Sequence, residues 1–173
     1  MKKFITIIIS LFLVVEVFSQ NIVLRPTKGF NEFNFGVSKV KEVKAYFSNI
    51  QFEERISGAV SCGDADPMRH QSITLTNDSI GLQFYFSSSW VENSKMQEPC
   101  LERIVLTKNV GRFLDNTVEI GKSNLNSVKV VYGDEKGRDR VKYALLYEKL
   151  GLHFIFDAKG ILRRVQLKEV EVK

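Results

Sequence analysis

Residues 118–133 read VEIGKSNLNSVKVVYG, and residues 33–47 read FNFGVSKVKEVKAYF. At an offset of 85 the two align: Phe33 with Val118, Phe35 with Ile120, Gly36 with Gly121, Ser38 with Ser123, Val40 with Leu125, Val43 with Val128 and Lys44 with Lys129. Each shared position has a physical reading. Apolar–polar–apolar is a short extended lead-in. Glycine permits a tight turn. Serine is a good helix N-cap, because its hydroxyl accepts from a free first-turn amide. Apolar residues follow at 40, 43 and 47, and at 125, 128 and 132, which is one face of a short helix. Gly133 is a natural stop for the second helix. Both predicted helices are short and valine-rich, so packing must hold them rather than propensity.

The correspondence continues outward. IGLQFYF (80–86) matches LGLHFIF (150–156) at an offset of 70, with Gly81 and Gly151 equivalent. LERIVL (101–106) matches LRRVQL (162–167) at an offset of 61. Leu82, Phe84 and Phe86 point one way on a strand, as do Leu152, Phe154 and Phe156. Each half reads as turn, helix and three strands. In the second half the strands are predicted near 140–148, 150–157 and 161–170, with DAKG (157–160) as a hairpin turn. The falling offsets place extra residues in the first half, 15 (85 − 70) and then 9 (70 − 61). The first insertion includes GAVSCGDADPMRH and the second SSSWVENSKMQEPC, each with one cysteine.

The N-terminus has the layout of a cleavable export signal: MKK, the apolar run FITIIISLFLVV, then Glu16 and Ser19. The run is too short for a membrane span of about 20 apolar residues. A buried N-terminal helix or an uncleaved anchor is the alternative. Cleavage is expected after Ser19, with Gln20 as the new N-terminus. Loss of Lys2, Lys3 and Glu16 then takes the net charge from +5 to +4 (5 − 2 + 1). Acidic and basic residues are interleaved, so nucleic acid is a poor partner. A periplasmic or secreted location makes a Cys62–Cys100 bridge the expected state, with free thiols or a metal site as alternatives. The bridge would close 38 residues (100 − 62) and stabilise by about 3–4 kcal/mol in the chain-entropy account.

The step carried by Gly36, Ser38 and Val43, and again by Gly121, Ser123 and Val128, resembles the small αβ modules of the outer-membrane assembly lipoprotein BamE. It also resembles the tandem modules of the β-lactamase inhibitor protein. The resemblance covers about 15 residues per half. It implies helices packed on antiparallel sheet and a role in protein contacts. The chain departs from both families: it has no lipid-anchor cysteine at the cleavage site, and its cysteines do not form a two-disulfide layout.

Chemistry is sparse. His153 alternates with Leu152 and Phe154, and its counterpart is Gln83, so a polar position on the outer sheet face is expected rather than a catalytic base. His70 follows Arg69 in the first insertion. Cys62, Asp64, Asp66, His70 and Cys100 lack the paired spacing of a zinc site, and GDADP lacks the ligands of a calcium loop. No nucleophile motif or phosphate-cradling loop occurs. No catalytic residue, metal or cofactor is therefore assigned. Trp90, the single tryptophan, lies in the second insertion near Met96. It either stands in an exposed surface, where tryptophan is enriched in binding hot spots, or covers the sheet.

Together these features predict an α+β protein with an internal duplication. Residues 1–19 are the signal peptide, 20–110 a first module with two loop insertions, and 111–173 a compact second module. The expected function is non-catalytic, inhibitor-like binding of another envelope or extracellular protein. The expected surface is Met68, Arg69, His70, Trp90 and Met96 on bridged loops. A structural accessory of envelope assembly and a hydrolase are the competing readings.

Overall fold

A computed structural model describes residues 23–61, 68–88, 97–110, 112–113, 118–133 and 143–170, with backbone alone for 59–61, 68–70 and 112–113. The fold is mixed α+β and mostly β. A small antiparallel sheet is formed by β1 (Val23–Arg25), β2 (Gly29–Phe30) and β3 (Phe33–Asn34). β8 (Arg112–Phe113) adds to β1 in parallel. The main sheet is antiparallel and seven-stranded. It comprises β4 (Glu53–Ser61), β5 (Met68–Asn77), β6 (Leu82–Ser88), β7 (Cys100–Leu106), β9 (Ala144–Tyr147), β10 (Leu152–Phe156) and β11 (Leu162–Lys168), in the order β4-β5-β6-β7-β11-β10-β9. Two short helices, α1 (Val40–Tyr46) and α2 (Leu125–Tyr132), cover one face.

The strands after the two helices form one sheet. The two sets join edge to edge where β7 meets β11, across the expected module boundary. A three-stranded sheet buries little by itself. Here the inward rows run unbroken through both halves. Leu75, Phe84, Ile104, Leu167, Leu152 and Tyr147 lie side by side in register. All are buried, and full burial of such side chains is worth about 1.5–3 kcal/mol each.

The aligned stretches make matching bonds. Gly36 donates its N–H to the Leu101 carbonyl, and Gly121 to that of Leu162, both at 2.8 Å. Leu101 and Leu162 donate back to the carbonyls of Ser38 and Ser123, again at 2.8 Å. Gly81 and Gly151 both have positive φ (72° and 62°), and their carbonyls accept from Thr107 and Lys168. Each helix sets an aromatic ring on the sheet: Phe47 on Phe84 at 5.6 Å, Tyr132 on Phe154 at 5.3 Å. Val43 and Val128 are fully buried, as the helical periodicity requires.

Some expectations change. The helices are capped by Lys39 and Asn124, one residue beyond the serines. The Ser38 and Ser123 hydroxyls turn back instead and accept from the amides of Asn34 (2.9 Å) and Glu119 (2.8 Å), closing the preceding turn. Asn124 forms a reciprocal capping box with Ser127, each amide bonding the other's side chain at 2.9 Å. Gly133 ends α2 with φ 86°, as expected. The first half has four strands after its helix, not three, because β4 extends the sheet. β10 and β11 are shorter at both ends than predicted, and β9 ends at Tyr147, while residues 140–142 lie outside the described residues.

Candidate functional site

The first insertion is largely a hairpin extension rather than a loop. Met68, Arg69 and His70 continue β5 and pair with Ser61, Val60 and Ala59 of β4. Sheet hydrogen bonding explains this: two runs that can ladder do so before they turn. The second insertion leaves β6 at Ser88 and returns through Glu98 to β7 at Cys100. Ser57, Ser72, Ser87 and Cys100 are in register across β4, β5, β6 and β7. Both insertions therefore leave the same end of the sheet. Cys62, Asp64, Asp66, Trp90 and Met96 lie outside the described residues, as do the expected signal segment 1–19 and the side chains of Met68, Arg69 and His70.

At this end the sheet and the Gly36 turn enclose an open cup of about 240 Å³, lined by Ser87, Gln97, Glu98, Cys100, Glu102 and Glu169 among others. The Cys100 thiol is partly exposed and forms no disulfide among the described residues. Its Sγ lies 2.9 Å from Lys39 Nζ, which also donates to the Glu98 carbonyl at 3.0 Å. Lys39 reaches it because its backbone forms an isolated bridge to Cys100, the equivalent of Asn124 to Ile161. The cup is polar, and its charged lining residues are acidic: Glu98, Glu102 and Glu169. Among the described residues no cluster of three or more His, Cys, Asp or Glu side chains could hold a metal ion.

His153 lies on the outer sheet face, as its alternation predicts, between Leu146 and Gln166 in register. Burial, then the Lys168 and Arg164 cations, push its imidazole below the usual histidine range. Among the described residues no side chain hydrogen-bonds to the imidazole. Nothing there orients it as a base toward a nucleophile. Glu54 pairs with Lys44 beside α1, while Glu53 lines a shallow depression of about 300 Å³ with Arg55, Asp78 and Tyr85.

Sequence reasoning missed Lys39 beside Cys100, and Glu169 beside Gly36. Neither belongs to a motif. Lys39 aligns with Asn124, a helix-cap position that carries no hint of a thiol contact. Among the described residues no helix is long and apolar enough to cross a membrane. The chain matches no protein-family profile, none of the curated proteins and no solved structure.

Proposed function

We propose that this chain is an exported, non-catalytic binding protein of a bacterial envelope. In this reading it arose by internal duplication of a helix-on-sheet unit and binds its partner with the two segments inserted in the first half. The observation that carries the reading is their shared exit: the β4–β5 hairpin and the β6–β7 connection leave one end of one sheet, beside Cys100. Two chain segments on a rigid frame make a pre-organised binding surface. A Cys62–Cys100 bridge would fix them to one another. Ser61, the neighbour of Cys62, pairs three strands across from Cys100 and four residues beyond its row. Cys62 is one residue from Ser61, so bridging would require Ala59–Ser61 to leave their pairing with Met68–His70, since disulfide Cα atoms lie within about 7 Å.

A non-reducing peptide map of exported protein tests this directly. The expected result is a chain beginning at Gln20 with Cys62 linked to Cys100. An unprocessed N-terminus, or two free thiols, would overturn export or the bridge respectively.

One observation favours a second reading, an accessory of envelope assembly. β4 is an edge strand of nine residues, and Glu53–Gly58 are exposed. Such an edge can accept a further strand. Binding that survives Trp90→Ala but is lost on Ser57→Pro would select it. A hydrolase reading would require activity abolished by His70→Ala or His153→Ala.

A further inference from the structure

Several described cations have an acidic partner: Lys44 with Glu54, Lys122 with Glu119, Arg163 with Asp157, and Lys41 with Glu98. The outer face of the main sheet is different. Arg103, Arg164 and Lys168 have no carboxylate partner among the described residues. Arg103 and Arg164 occupy equivalent positions in the two halves, and Lys168 lies opposite Arg103 in register. The Arg103 guanidinium stacks over the Tyr85 ring at 4.1 Å, and its buried Nε makes no hydrogen bond. Arg164 and Lys168 are exposed.

Between these cations runs a neutral row, Gln83, Val105, Gln166 and His153, in register across four strands. Two amides and an imidazole there can donate to or accept from hydroxyls. Carboxylates border this face: Glu102 and Glu169 at the cup, and Glu53 and Asp78 in the depression that Arg55, Gln83 and Tyr85 also line. Lys168 and Arg164 are four residues apart on β11, which is about 13 Å along an extended strand. An anionic lipid surface is recognised by dense clusters of four or more cations, and nucleic acid by a basic stripe. Cations separated by neutral hydrogen-bonding groups fit a polymer whose carboxylates alternate with hydroxyls.

We infer that the outer face of the seven-stranded sheet, centred on Gln166, is a docking surface for an acidic polysaccharide built of uronate sugars. Its carboxylates would meet Arg103, Arg164 and Lys168, and its hydroxyls the Gln83, Gln166 and His153 side chains. This surface is separate from the insertions at the sheet end. Attraction of this kind weakens with salt.

The test is binding of the intact chain to polygalacturonate at low ionic strength, beside neutral dextran and vesicles containing phosphatidylglycerol. Arg164→Glu with Lys168→Glu is expected to weaken polygalacturonate binding about tenfold or more. Lys122→Glu with Lys159→Glu, which makes the same charge change away from this face, is expected to weaken it less than about twofold. Both pairs are exposed, so neither should unfold the chain. Bound carboxylates should also raise the His153 pKa, read from its imidazole proton resonance. Burial lowers it first, and Lys168 and then Arg164 lower it further, so carboxylates on those cations oppose part of the shift; β9 presents Ala144 and Leu146 on its other side. Absence of binding, equal loss in both variants, equal binding to the vesicles or to dextran, or an unmoved His153 would overturn the proposal.

Discussion

Val105 of β7 and Gln166 of β11 pair directly in the main sheet, and they occupy equivalent positions in the two halves. On either side of them, Ile104 pairs with Leu167 and Leu106 with Val165, which are the same equivalence exchanged. The sheet thus has a local two-fold axis through this pair. Each half supplies its last strand to cover the edge of the other.

That relationship predicts how the second half behaves alone. Residues 111–173 would expose β11 as an open edge with Val165 and Leu167 losing cover. Because β7 and β11 are interchangeable in register, a second β11 can take the place of β7. The fragment is expected to be unfolded when dilute and dimeric when concentrated. Analytical ultracentrifugation with circular dichroism checks this, and a folded monomer would contradict it.

Gly151 stands where no other residue fits. Its φ is 62°, and an added Cβ would lie 2.3 Å from the Lys168 carbonyl oxygen, a backbone atom of the residue whose N–H bonds the Gly151 carbonyl. Gly121 also has positive φ (84°), but nothing lies within 4 Å of its Cβ position. Gly151→Ala should therefore cost about 2–4 kcal/mol, and Gly121→Ala about 1 kcal/mol. Urea unfolding of the two variants gives the ranking; equal costs would contradict it.

Ser38 and Ser123 hold equivalent turns at different depths. Ser38 is 6% exposed, and Ser38→Ala would strand the Asn34 amide, costing about 1–3 kcal/mol. The Ser123 bond to Glu119 is open to water, so Ser123→Ala should cost about 0.5–1 kcal/mol. Asn124→Ala removes the true cap of α2 and should cost about 1 kcal/mol. Thermal denaturation separates the three.

Two groups set a pH dependence of the same sign. Asp157 in the β10–β11 turn accepts from the Ile161 and Lys159 amides at 2.9 Å and from Arg163 Nε at 2.8 Å. The Ile161 amide foremost, then Arg163, hold its carboxyl below the usual range. That stability is present above the unfolded carboxyl value of about 4 and lost as pH falls through the folded value. His153 is also depressed, by burial and then by Lys168 and Arg164. Folding favours its neutral form, so this contribution is full above about pH 6.5 and declines as pH falls through the folded value. His153→Gln should flatten urea midpoints below about pH 6.5, and Asp157→Asn below about pH 4. Unchanged slopes would contradict both assignments.

The sequence discloses the fold where burial is periodic. Phe84, Phe86, Phe154 and Phe156 announce inward strand faces, and Val43 and Val128 the helix stripes. The equivalence of Gly81 and Gly151 was legible because both serve the same turn. β4 was not, since Glu53–Gly58 are exposed on both sides and no alternation marks them. The serines misled because one hydroxyl can cap the helix ahead or bond the amide behind, and only the folded turn decides. At the candidate site, Cys100 was legible by type, but its lysine neighbour depends on a bridge between segments 61 residues apart (100 − 39).

The most direct test of the proposed function is affinity capture in envelope extract of the source cell. Oxidised exported protein would be crosslinked beside a Cys62→Ser, Cys100→Ser variant and a Trp90→Ala variant, and bound proteins identified by mass spectrometry. The account predicts a protein partner captured by the native chain and lost from both variants. A partner retained equally by all three, or none at all, would contradict binding through the inserted segments.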